Sequence, residues 1–140
     1  MTPFWDNTYV WSYTNVGYFD LTFNLIESWR RKGLVKHMNV FVQSEQLLNF
    51  TSHALFKDDF TVVTHNHLLN KQNARFDSKD FKNVTRVKIN LLHDILAAGM
   101  NSLYMDSDTV IIKDPRKYLQ PLLDGHDGLF QADGTSQGQF

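Results

Sequence analysis

Asp106 and Asp108 are the residues of this chain best placed to do chemistry, one position apart at the end of the apolar run Leu103-Tyr104-Met105. Two carboxylates so spaced offer hard oxygen donors. A divalent cation such as Mg²⁺ or Mn²⁺ takes such donors and completes its shell with substrate phosphates. The same tripeptide also suits a polar turn whose side chains cap backbone N–H groups. Lys88 is a possible cationic partner, although a lysine on a helix is ordinarily a solvated charge. Asn15 follows an aromatic run and, taken alone, reads as a turn residue. His65 and His67 share one side of an extended segment, but no third ligand follows at a recognisable spacing, which favours loop histidines over a metal site.

Several other chemistries are excluded. The chain has no cysteine, so disulfide scaffolds, thiolate metal sites and cysteine nucleophiles are ruled out. No GxGxxG or GxxxxGK[ST] pattern occurs, leaving no support for a dinucleotide site or a P-loop. A formal net charge of -1 over 140 residues argues against a nucleic-acid partner held by bulk charge. No stretch reaches the roughly eighteen apolar residues of a membrane span, so the chain as given is expected to be soluble. The sequons Asn49-Phe50-Thr51 and Asn83-Val84-Thr85 are weak support for a luminal setting.

The elements that must position the acidic pair alternate between strands and helices. Strands are expected at Thr8–Tyr13, Asn39–Val42, Phe60–Val63 and Ser102–Met105, from their β-branched and aromatic content. Thr109–Ile112 reads as extended, and Leu129–Ala132 as a last strand. Between them fall an amphipathic helix from Tyr18 to Arg31, closed by Gly33, and one from Ser44 to about Leu55. A third runs from Phe81 to Ala98 and is closed by Gly99. Leu21, Leu48 and Leu96 are expected on the inward faces of these three helices. Thr64–Asp80 reads as a long loop, and Tyr118–Leu123 as a short helical piece. The pattern implies an α/β domain with a mostly parallel sheet covered on both faces. Ligands of such sheets bind beyond the carboxyl ends of the strands, where Thr14-Asn15 and Asp106-Ser107-Asp108 would both lie.

The run from Leu103 through Asp106 and Asp108 to Pro115, with Lys88 on the preceding helix and Gly99 at its end, resembles the nucleotide-diphospho-sugar transferase family, glycosyltransferases of the GT-A fold. Looser matches are Thr14-Asn15-Val16-Gly17-Tyr18, Asn24, Ser28 and Leu96. The resemblance covers most of the chain. It implies that residues 1–140 form the donor-binding N-terminal part of a Rossmann-like domain that transfers a sugar from a nucleotide-diphosphate donor. By the same resemblance, Asp108 would ligate Mn²⁺ or Mg²⁺ on the donor diphosphate. Asp106 would contact the metal or the donor, and Lys88 would approach the diphosphate. Thr14 and Asn15 would line the base pocket. No catalytic base is assigned, and the acceptor, a glycan or glycoprotein, is unspecified. A Golgi lumen location is implied if the domain belongs to a longer anchored protein.

The family's chain continues past the last strand, so a fragment, incomplete at its C-terminus, is expected. A truncated domain that binds a nucleotide sugar without turning it over is the alternative this leaves open. The DxDxV run also resembles the first motif of haloacid-dehalogenase-type phosphatases, with Asp106 as nucleophile and Asp108 as acid/base. That motif opens its domain, whereas 105 residues precede Asp106 here and 32 follow Asp108, too few for the rest of such a fold.

Overall fold

The computed structural model describes residues 5, 7–53, 59–65 and 79–131. In chain order the elements are β1 (Thr8–Thr14), α1 (Phe19–Arg31), β2 (Met38–Gln43), α2 (Leu47–His53), β3 (Thr61–His65), α3 (Lys79–Ala97), β4 (Asn101–Tyr104) and α4 (Pro115–Leu123). The four strands form one sheet in the order β3-β2-β1-β4, every pairing parallel. This is the α/β arrangement expected from the alternation of strands and helices.

All seven residues of β1 and all six of β2 are buried, as strands covered on both faces must be. The two-residue period of a strand then sorts side chains into two cores. Val10 joins Met38, Val40 and Val42 beneath α1 and α2, with Leu25, Ile26, Trp29 and Phe50. Tyr9, Trp11, Tyr13 and Phe41 face the other way and pack with Val87, Leu91 and Ile95 of α3. Asn39 lies buried in β2 and is satisfied, its Nδ2 donating to the Val10 carbonyl at 2.9 Å.

Both long helices stop the same way. At the end of α1, Leu34 N donates to Trp29 O and Gly33 N to Arg30 O, with Gly33 at φ 71°. At the end of α3, Met100 N donates to Ile95 O and Gly99 N to Leu96 O, with Gly99 at φ 82°. This doubled bond over a left-handed residue is the cap that glycine favours. Arg30 pairs with Asp59 and Arg31 with Glu27 nearby.

Some expectations are corrected. Leu21, Leu48 and Leu96 are exposed rather than inward. In α1 the buried position belongs to Thr22, and in α2 to Phe50, whose ring meets those of Phe19, Phe23 and Phe60. The fourth helix starts at Pro115, not Tyr118, because Asp114 caps it by accepting from Arg116 N at 3.0 Å and proline suits the first turn. Thr109–Ile112 joins no strand, and neither do Leu129–Gln131; Phe130 is almost wholly exposed. Thr64 and His65 belong to β3 and residues 79–80 to α3 rather than to a loop. The rest of that loop, 66–78, lies outside the described residues, as do Ala54, Leu55, His67 and Ala132. Among the described residues, no helix is long and apolar enough to cross a membrane.

Candidate functional site

Strands β1 and β4 are neighbours, with Thr8 beside Asn101 and Trp11 beside Tyr104, so their carboxyl ends open on one edge of the sheet. Beyond β1 the chain turns at Asn15, whose Oδ1 accepts from Gly17 N at 3.3 Å and whose carbonyl accepts from Tyr18 N at 2.8 Å. Beyond β4 a tight turn runs from Asp106 to Thr109. Thr109 donates both its backbone N–H, at 3.0 Å, and its hydroxyl, at 2.6 Å, to the Asp106 carbonyl. Helix α3 crosses the same edge and brings Lys88 over it.

These three pieces enclose a cleft of about 160 Å³ lined by Asn15, Lys88, Asp106 and Asp108, with Tyr13 and Tyr18 among its walls. Four of the five residues that the resemblance assigns to the site therefore meet in one place. Thr14 does not line the cleft: it is buried, and its hydroxyl accepts from Thr22 Oγ1 at 2.6 Å. That bond ties the end of β1, next to Asn15, to the first turn of α1.

Inside the cleft one carboxylate oxygen is the hub. Asp106 Oδ1 accepts from Tyr104 Oη at 2.6 Å and lies 3.4 Å from Lys88 Nζ. The same ammonium stands 5.5 Å from the centre of the Tyr104 ring, a cation–π distance. Burial pushes the Tyr104 phenol well above its ordinary pKa. The hydrogen bond to Asp106 and the charges of Asp106 and Asp108 push the same way. Burial likewise raises Tyr13. Both tyrosines therefore border the site as neutral hydroxyls at physiological pH.

The carboxylates of Asp106 and Asp108 leave one turn together, and the Asp106 side chain is 57% exposed. Among the described residues, no three His, Cys, Asp or Glu side chains gather into a cluster. Two hard oxygens open to solvent suit Mg²⁺ or Mn²⁺, which keep waters and take phosphate oxygens, and do not suit a closed all-protein cage.

Two contributors have roles that the sequence does not state, although Ser28 is among the looser family matches. Tyr104 reads there as a core aromatic; the signal was its position two residues before Asp106, which puts both side chains on one side of an extended chain. Ser28 accepts Ile111 N–H on its hydroxyl at 3.0 Å, joining α1 to the segment after the acidic turn. Nothing in its own helix announces that role.

Fold and cleft define an α/β protein with a polar, carboxylate-bearing site at the carboxyl edge of a parallel sheet. A family model described as nucleotide-diphospho-sugar transferase matches residues 43–139, and the chain belongs to that family. The matched span includes Lys88, Asp106 and Asp108 and begins after Thr14 and Asn15. No curated protein and no solved structure matches the chain.

Proposed function

We propose that residues 1–140 form the donor-binding part of a glycosyltransferase that takes a sugar from a nucleotide-diphosphate donor with the help of a divalent cation. The observation that carries this reading is the convergence of Lys88, Asp106 and Asp108, the part of the chain matched to the family, on one open cleft with Asn15. Sugar transfer breaks the bond between the anomeric carbon and the diphosphate, and negative charge grows on the leaving phosphate. A cation held by Asp106 and Asp108 would offset that charge as a Lewis acid.

The chain's own residues set up the rest. Lys88 is paired with Asp106 and leans over Tyr104, and its flexible stem can turn from the carboxylate to a phosphate oxygen entering the cleft. A cation brought to the developing charge on the leaving phosphate adds to its stabilisation. Asn15, buried and braced by its own turn, forms the wall at the end of β1, where it suits contact with the nucleoside. The acceptor, a glycan or glycoprotein, must bring a hydroxyl to within about 3–3.5 Å of the anomeric carbon for transfer to be fast. Asn49 of the first sequon is exposed on α2, in keeping with a luminal, Golgi-type setting.

Calorimetry with UDP as the probe tests the reading. Affinity should rise with Mn²⁺ or Mg²⁺ and fall in excess chelator, and Asp108→Asn should remove most of that difference. Equal affinity with and without chelator would defeat the assignment. Metal-dependent binding without any turnover of a nucleotide sugar would leave a donor-binding domain that does not catalyse.

A further inference from the structure

Asp106 is a turn residue with more than half of its side chain in solvent. Left alone, such a carboxylate would sample several rotamers and lose that freedom on meeting a cation. Tyr104 prevents this. Its ring is the register neighbour of Trp11 in the adjacent strand, with centroids 4.5 Å apart. Trp11 is itself fixed by donating its indole N–H to Ser102 Oγ at 2.8 Å. A rigid aromatic pair thus delivers one hydroxyl to Asp106 Oδ1 at 2.6 Å. Lys88 approaches the same oxygen from 3.4 Å, but from a flexible stem that a phosphate can draw away. The phenol is the fixed contact and the ammonium the exchangeable one.

We infer that Tyr104 is a positioning residue that holds the Asp106 carboxylate ready for a divalent cation, an inference that rests on the donor-binding reading above. The hydroxyl, not the ring, is the active part. A core aromatic would need only the ring, and phenylalanine would serve equally in the contact with Trp11.

The test compares Tyr104→Phe, Val40→Ala, Asp108→Asn and wild type. Mn²⁺ affinity is measured in the presence of UDP by the electron paramagnetic resonance signal of free Mn²⁺, and stability by thermal unfolding. Tyr104→Phe should weaken Mn²⁺ binding about tenfold, the range of a lost hydrogen bond to a charged group. Its UDP affinity in excess chelator should not change. Val40→Ala, in the core on the opposite face of the sheet, should lower stability without moving Mn²⁺ affinity, separating positioning from packing. Replacing Tyr104 with 3-fluorotyrosine, which keeps the O–H donor, should restore wild-type affinity. Mn²⁺ affinity in Tyr104→Phe equal to wild type, with Asp108→Asn impaired, would overturn the positioning role and leave the donor-binding reading standing. Absence of any Mn²⁺ response in the wild type would overturn both.

Discussion

Ser28, in the last turn of α1, receives the backbone N–H of Ile111 on its hydroxyl at 3.0 Å, while its own O–H donates to Leu25 O at 2.6 Å. This bond spans 83 positions and fastens the segment that follows the acidic turn to the helix that follows Asn15. The two sides of the cleft are thereby referenced to one helix. Ser28→Ala leaves the Ile111 N–H without that acceptor and should cost about 1 kcal/mol in urea unfolding. Because the anchor lies three residues beyond Asp108, the same variant should weaken Mn²⁺-assisted UDP binding a few-fold. A stability loss with unchanged binding would show that the acidic turn holds its shape without the anchor.

Lys88 should behave oppositely toward the two components of the site. Toward Mn²⁺ alone it is a competitor, since its ammonium already neutralises Asp106. Pairs as exposed as this one are worth about 0–1 kcal/mol, so Lys88→Ala should tighten Mn²⁺ binding by up to about fivefold. Toward UDP in saturating Mn²⁺ the lysine is an attractive partner, and its loss should weaken binding about tenfold or more. Paired titrations of metal alone and of UDP with metal would check the two signs. A decrease in both would assign Lys88 to the shape of the cleft rather than to its charge balance.

Much of this architecture was legible beforehand, for identifiable reasons. The buried strands β1 and β2 announced themselves because strands covered on both faces keep only β-branched, aromatic and small residues. Gly33 and Gly99 marked true helix ends because a left-handed cap admits few other residues. The meeting of Lys88 with Asp106 and Asp108 followed from family resemblance and from the rule that parallel sheets gather sites at one edge. Periodicity failed where polar contacts decided the outcome. Thr22 displaced Leu21 from the interior because its hydroxyl has polar partners there, Thr14 Oγ1 at 2.6 Å and Tyr18 O at 2.9 Å. Leu48 lost to Phe50 because the 3₁₀ turn Ser44–Gln46 shifts the phase of α2. Leu129 read as strand on composition alone, and composition cannot report whether a pairing partner exists. Tyr104 and Ser28 act through contacts that link distant parts of the chain, which one-dimensional spacing does not encode.

The helix caps give a prediction in which three glycines respond with two signs. Gly33 and Gly99 have open space where a Cβ would stand, so the cost of alanine there is conformational rather than steric. Their φ values of 71° and 82° disfavour an L side chain by about 1–2 kcal/mol. Gly33→Ala and Gly99→Ala should each lower stability by about that amount. At Gly128 φ is not in the left-handed region, and a Cβ would meet Phe130 at 3.8 Å, an ordinary contact. Gly128→Ala should be neutral or stabilise by up to about 1 kcal/mol, through the lost freedom of the unfolded chain. Chemical denaturation of the three variants would check the ordering, and equal losses at all three would refute it.

Alkaline pH should expose the tyrosine-rich face beneath α3. Burial pushes Tyr9 up to about 12, and pushes Tyr13 and Tyr104 further in the same direction. In the unfolded chain each phenol ionises near its ordinary value of about 10. Below that pH both states hold the proton, so the contribution of these groups to stability is fully present. Between about 10 and the raised values, the unfolded chain sheds protons that the folded chain keeps, and stability falls as pH rises. Cooperative unfolding is therefore expected above pH 10, with the tyrosinate absorbance of these residues appearing together with the loss of structure rather than ahead of it. Tyr9→Phe should make the decline shallower, because Phe has no proton to lose and keeps the ring contact with Phe41 at 6.1 Å. Midpoints of thermal unfolding from pH 8 to 11.5 would measure both slopes. A Tyr9→Phe profile parallel to wild type throughout that range would refute the assignment of the alkaline limb to this phenol.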